Sequence, residues 1–140
     1  MGPHDARAGI PALTRQMTGL ASLFLTSGMV HLVRPEVMEP IVPRALPAPR
    51  RLVYVSGVAE LACAAGLIFP RTRRLAGWGS AALLLLVFPA NVQMAATAHR
   101  RAQGDTGSTS KQVIRVAAVA RLPLQLPLIR TALKAAGRLR

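Results

Sequence analysis

The sequence predicts an all-α integral membrane protein: a four-helix bundle of antiparallel up-and-down spans, with a Pro-rich first linker lying on the membrane surface. Three observations carry that expectation. Hydrophobic residues make up 51% of the 140 residues and the mean hydropathy is +0.36, yet aromatic residues are only 4%, where a soluble core of this size would draw on more of them. The apolar residues gather into four runs of membrane length. The basic residues behind the formal charge of +13 sit between those runs, at Arg34, Arg44, Arg50 and Arg51, at Arg71, Arg73 and Arg74, and at Arg100, Arg101 and Lys111. That placement suits anchors among lipid phosphates. No aromatic platform or finger motif accompanies the charge, so no nucleic-acid partner is expected. Length alone predicts a single domain over residues 1–140.

Residues 1–13 form a polar lead with Gly, Pro and Arg7, expected to be mobile. Residues 16–33 then run without a full charge between Arg15 and Arg34, which predicts a first transmembrane helix. A signal peptide would share the basic flank, but no small-x-small cleavage site closes the run and further spans follow. Gly19, Ser22, Thr26 and Gly28 offer a small-residue face for a neighbouring helix. His31 lies one turn from the end, at the interface or at the mouth of a pocket.

Pro35, Pro40, Pro43, Pro47 and Pro49 exclude a long helix from the linker 34–51, although Pro35 can start a short turn. Val37, Met38, Ile41, Val42 and Leu46 predict that the linker lies on the membrane as a lid over the helix ends. Residues 52–70 form the second predicted span, with Glu60 about 12 Å from its Leu52 end and therefore near the midplane. A charge at that depth costs on the order of 2.5–3.5 kcal/mol by insertion scales and calls for a counter-ion or a watery pocket. Gly57, Ala59, Ala62, Cys63, Ala64 and Gly66 around it allow close packing, so Glu60 is expected to face the bundle. The lone Cys63 excludes an intramolecular disulfide, a CxxC pair and a cysteine-bound zinc.

The short link at Arg71–Arg74 leaves room only for an antiparallel return. Residues 75–98 form an uncharged third span with Gly77, Gly79 and Ser80 as a small face, Trp78 near the interface and Asn91 about 10 Å from the Ala98 end. Pro89 withholds the amide that would bond the Leu85 carbonyl, so a kink or a freed acceptor is expected. Residues 99–111 read as a flexible loop. The fourth span, 113–133, contains Arg115, Arg121, Arg130, Pro123 and Pro127, and an amphipathic surface helix is the competing reading. Arg115 and Arg130 can snorkel to the two surfaces; Arg121 is deep.

With alternating helix directions, Arg121 lies about 12 Å from the Val113 end, at the depth of Glu60. Asn91, Gln125 and the shallower His31 fall in the same half of the bilayer. One reading is a structural ion pair between Glu60 and Arg121, with Asn91 and Gln125 completing its hydrogen bonds. The other is a pocket that opens toward the linker and binds a small polar headgroup, such as a quinone carbonyl or an acyl oxygen, on His31, Glu60, Asn91, Arg121 and Gln125. There is no second carboxylate for acid/base pairing and no activated nucleophile, so no catalytic residue and no metal ligand is predicted.

Four stretches, SGMVHLVRPE at 27–36, LVYVSGVAELACAAGLIFPRTRRLAGWG at 52–79, VFPANVQMA at 87–95 and RLPLQLPLI at 121–129, resemble the DoxX family of small four-helix bacterial membrane proteins. The resemblance implies a multi-pass protein of the bacterial inner membrane with both termini in the cytoplasm, and it favours the fourth run as a true span. It also implies an accessory or ligand-binding subunit of quinone- or thiol-linked redox metabolism, with a quinone or lipid as ligand. Some redox relatives carry cysteine pairs, and Cys63 alone departs from them. Eukaryotic relatives act as receptor chaperones, which gives a second expectation: a non-catalytic assembly factor that packs against a membrane-protein partner or a second copy of itself.

Overall fold

A computed structural model describes residues 11–139, and every regular element within them is helical. Five α-helices follow in order: α1 (Arg15–Val33), α2 (Pro35–Met38), α3 (Pro49–Ile68), α4 (Arg73–Gln103) and α5 (Thr109–Ala135), with a single 3-10 turn (Glu39–Ile41) after α2. Of the predicted polar lead, residues 1–10 lie outside the described residues.

Three of the helices, α3, α4 and α5, are long and apolar enough to cross a membrane. The 19-residue α1, expected as the first span, is not among them. Thr18, Ser22, Thr26, Ser27 and His31 dilute its apolar content, although its length matches the prediction. α3 starts before its predicted start and stops at Ile68, two residues short of the predicted end, whereas α4 and α5 outrun their bounds at both ends. α4 begins at Arg73 and runs into the predicted loop as far as Gln103, and α5 begins at Thr109, because backbone hydrogen bonding continues after hydropathy has fallen. Pro89, Pro123 and Pro127 all sit inside continuous helix rather than ending it.

Each terminus has its own physical cause. The Thr14 hydroxyl accepts from the Met17 amide at 3.2 Å and caps α1. Ala48 takes a left-handed conformation (φ 50°) and turns the linker into Pro49, the first residue of α3. Gly137, at φ +76°, closes α5 in a Schellman arrangement, with the Arg138 amide on the Leu133 carbonyl and its own amide on that of Lys134, both at 2.9 Å. The end of α3 is capped by a side chain from the next helix. Arg73, 4% exposed, donates from Nε to the Leu67 carbonyl at 2.7 Å and from Nη2 to that of Ile68 at 2.8 Å. Its Nη1 reaches the Pro11 carbonyl at 2.6 Å, which ties the segment before α1 to the same point. A cation on the last carbonyls of a helix also meets the negative end of its dipole.

Packing is most extensive between α4 and α5 and between α1 and α3; α3 also packs on α4, and α1 more lightly on α5. Met17, Leu20, Ala21 and Phe24 of α1 meet Ala64 and Leu67 of α3, Ala76, Ala81 and Leu84 of α4, and Ala132 and Ala135 of α5 in the main core. A second, smaller cluster joins Ala95 and Ala98 to Ala118. Along α1 the core residues precede His31, along α3 they follow Glu60, along α4 they precede Asn91 and along α5 they follow Gln125. Successive long helices therefore alternate in direction, and their polar residues gather toward the linker side of the main core.

The linker does lie across the helix ends. α2 packs on α1 and α3, and the 3-10 turn packs on α3 and α4. Glu39 Oε1 holds Arg50 Nε at 2.6 Å across the linker, and Glu36 holds Arg34 Nε at the same distance.

Candidate functional site

The site begins at a helix crossing. Gly28 of α1 and Gly57 of α3 pack backbone to backbone: a Cβ on Gly28 would lie 2.8 Å from the Gly57 carbonyl oxygen, and one on Gly57 would lie 2.7 Å from His31 Cβ. Each glycine precedes a polar residue by three positions, Gly28 before His31 and Gly57 before Glu60, so each polar side chain rises on the same face as its glycine. The crossing thus delivers His31 to Glu60.

His31 Nδ1 lies 3.6 Å from Glu60 Oε2 and 2.7 Å from the Ser27 carbonyl oxygen. With the proton on Nδ1 the imidazole donates to that carbonyl, so the approach to Glu60 is an electrostatic contact rather than a hydrogen bond. Neither the Ser27 hydroxyl nor the Arg121 guanidinium bonds the carboxylate among the described residues. Glu60 is 4% exposed, and its Oε2 has no hydrogen-bond partner among the described residues.

A second pair lies between α4 and α5. Asn91 Nδ2 donates to Gln125 Oε1 at 3.3 Å, and Gln125 Nε2 donates to the Leu84 carbonyl. The carbonyl that Gln125 reaches is one position before that of Leu85, which Pro89 deprives of an amide donor. Both amides are buried.

The direct Glu60–Arg121 ion pair is not formed: no guanidinium nitrogen of Arg121 lies within 4.0 Å of a carboxylate among the described residues, and Glu60 turns to His31 instead. The reason is position around the axis. α3 packs against α1 and α4, whereas α5 packs against α4 and α1, so equal depth on α3 and α5 does not make neighbours. Arg121 is half-buried, and its Nε is buried without a hydrogen-bond partner among the described residues. The five predicted residues therefore form two contacting pairs, His31–Glu60 and Asn91–Gln125, and one arginine with an unfilled donor.

Cys63 follows Glu60 by three positions on α3 and faces α4, where a Cβ on Gly79 would lie 3.4 Å from its Sγ. Ser80 is fully buried beside it, with its hydroxyl unpartnered. Ser27 carries no signal of its own in the sequence, whereas Gly28, Gly57 and Ser80 are expected as small packing residues, and the repeated Gly-x-x-polar spacing is the signal that the two glycines meet. No group of three or more His, Cys, Asp or Glu that could hold a metal occurs among the described residues.

None of the curated proteins and none of the solved structures matches the chain. A family model does, over residues 20–136, a span that takes in the Gly28–Gly57 crossing, both polar pairs and Arg121. The chain belongs to the family described as a domain of unknown function, DUF8561.

Proposed function

We propose that the chain is a DoxX-like protein of the bacterial inner membrane. In this reading α1 joins α3, α4 and α5 as four antiparallel spans of one bundle. The polar layer on their linker side binds the oxygen-bearing head of a lipid-soluble ligand in quinone- or thiol-linked redox metabolism. The resemblance at residues 27–36, 52–79, 87–95 and 121–129 supports the family, and one structural observation supports the site. Glu60 Oε2 is a buried acceptor and Arg121 Nε a buried donor, and both lack a partner among the described residues. Buried polar groups are almost always paired, because an unmade bond costs about 1–3 kcal/mol and more for a charged group. A donor and an acceptor left unfilled in one layer match a ligand that offers both chemistries. A quinone carbonyl accepts from Arg121, and a quinol hydroxyl donates to Glu60.

The protein's part is binding and positioning. Cys63 has no second thiol to exchange with, so electrons pass between the ligand and a partner enzyme. The test is quinone and quinol binding by the purified protein in mild detergent, followed by native mass spectrometry. Arg121→Gln is expected to weaken the quinone and Glu60→Gln the quinol. A protein that binds neither, or variants that bind as the wild type does, would remove the proposal.

A second reading, an assembly factor for another membrane protein, draws on α1. Gly19, Ser22 and Thr26 are exposed, and a Cβ on Gly19 would meet nothing within 4 Å, so the predicted small face is divided: Gly28 packs inward and the rest is left open. Co-purification of a partner that Gly19→Leu abolishes would favour this reading over ligand binding.

A further inference from the structure

Arg44 of the linker and Arg100 and Arg101 at the end of α4 converge on one cleft. Its volume is about 900 Å³, and Arg44, Arg100 and Arg101 line it together with Glu39. That volume falls within the range of small-molecule sites. Glu39 Oε1 lies 2.6 Å from Arg50 Nε, and among the described residues no carboxylate lies within 4.0 Å of Arg44, Arg100 or Arg101. Farther along the wall stand Thr97, whose hydroxyl accepts from Arg100 Nη2 at 3.4 Å, and Gln93, about 10 Å down α4 from Arg100. Val42 and Leu46 supply the apolar side.

This gradient, from three guanidinium groups through two neutral polar side chains beside apolar ones, has the chemistry of an amphiphile with an anionic head. We infer that the cleft binds the phosphate or carboxylate of an anionic lipid, gripped by Arg44, Arg100 and Arg101, with the start of its acyl chains against Val42 and Leu46. Arginine suits this role because its planar fork meets two oxygens at once. The inference rests on the membrane placement proposed above but not on the polar layer: Gln93 is only two residues from Asn91 and so lies on the other side of α4.

The experiment uses the full chain, purified from vesicles of phosphatidylcholine containing a minor share of phosphatidylglycerol, with retained lipid counted by native mass spectrometry. The wild type is expected to retain phosphatidylglycerol selectively. The triple variant Arg44→Gln/Arg100→Gln/Arg101→Gln is expected to lose that selectivity by roughly 100-fold, at about fivefold per cation. A charge-matched control at the other end of the helices, Arg71→Gln/Arg74→Gln/Arg130→Gln, is expected to keep it. Glu39→Gln is expected to raise retention several-fold, an effect that misfolding does not imitate. Equal loss in the two triple variants, or a fall in Glu39→Gln, would overturn the site. Displacement of the lipid by millimolar inorganic phosphate would overturn the lipid assignment in favour of a soluble anion. Quinone binding by the triple variant keeps this outcome separate from the fate of the Glu60 layer.

Discussion

Gly57→Ala places a methyl group 2.7 Å from His31 Cβ and 3.1 Å from the Gly28 carbonyl oxygen. Ordinary carbon–carbon contact begins near 3.5–4.0 Å. α1 and α3 must therefore part by about 1 Å, because His31 Cβ is fixed by its own backbone whatever the rotamer, and Gly28 cannot give way because its backbone forms the other side of the contact. Overpacking of this kind costs about 1–3 kcal/mol. The parting also lengthens the 3.6 Å approach of His31 to Glu60, so the quinol binding proposed above should fall together with stability. Gly19→Ala is the internal control. It adds the same methyl group to α1 where nothing lies within 4 Å, and it gains about 0.8–1 kcal/mol of helix propensity. Reversible unfolding by SDS in mixed micelles, followed by far-UV circular dichroism, measures both. A Gly57→Ala protein as stable as the wild type, or a Gly19→Ala protein as damaged as Gly57→Ala, would refute the close crossing.

Arg73→Lys keeps the charge but replaces a fork that reaches three carbonyls with a single ammonium; a loss of about 2–4 kcal/mol is expected in the same titration, with faster proteolysis near Pro11. Gln125→Leu strands Asn91 and should cost about 1–3 kcal/mol, whereas Asn91→Leu/Gln125→Leu removes both partners and should be no less stable than the single variant. Lys111, 2.8 Å away, holds the Asp105 carboxyl below its ordinary value of 3.8. The sign follows from that depression. The tie between the loop and α5 is fully present above pH 3.8 and is lost as pH falls through the lowered value. Hydrogen exchange at residues 105–111, corrected for intrinsic rate, should therefore not change between about pH 7 and 5, and Asp105→Asn should loosen the loop throughout that range.

Sequence periodicity makes depth legible but not direction around the bundle axis, and the polar residues show the difference. Glu60 and Arg121 could be matched in depth by counting about 1.5 Å per residue. Their failure to pair follows from α3 facing α1, a fact that lives in the Gly28–Gly57 crossing rather than in hydropathy. The same count puts Asn91 about 10 Å and Gln125 about 18 Å from the linker side, not at one depth, and they do touch, because α4 and α5 are direct packing partners. Arg73 was unreadable for another reason. Among four basic or polar residues at a turn, nothing local says which one folds back onto three carbonyls. The ends of α4 and α5 were missed because charged residues such as Arg100, Arg101 and Lys111 end an apolar run without ending a helix.

The two ends of the helices are built for different tasks. On the side of the α3–α4 turn, Met17, Leu20, Phe24, Leu67 and Leu84 are almost wholly buried, and Arg73 closes the end with three hydrogen bonds. On the linker side the buried apolar cluster is Ala95, Ala98 and Ala118, with Met94 and Leu122 at its edge. An alanine buries far less apolar area than a leucine or phenylalanine, so each contact there holds the helices together less strongly. Glu60, Asn91 and Gln125 lie between the two halves, and Arg121 Nε and Glu60 Oε2 keep their bonds unfilled next to the weaker one. Local opening follows the lower density of apolar contacts, so the helices part more readily at the linker end than at the turn. For the ligand proposed above, entry from that side displaces small side chains and leaves the large-residue core intact, so the buried Glu60 carboxylate can be reached without loss of the fold.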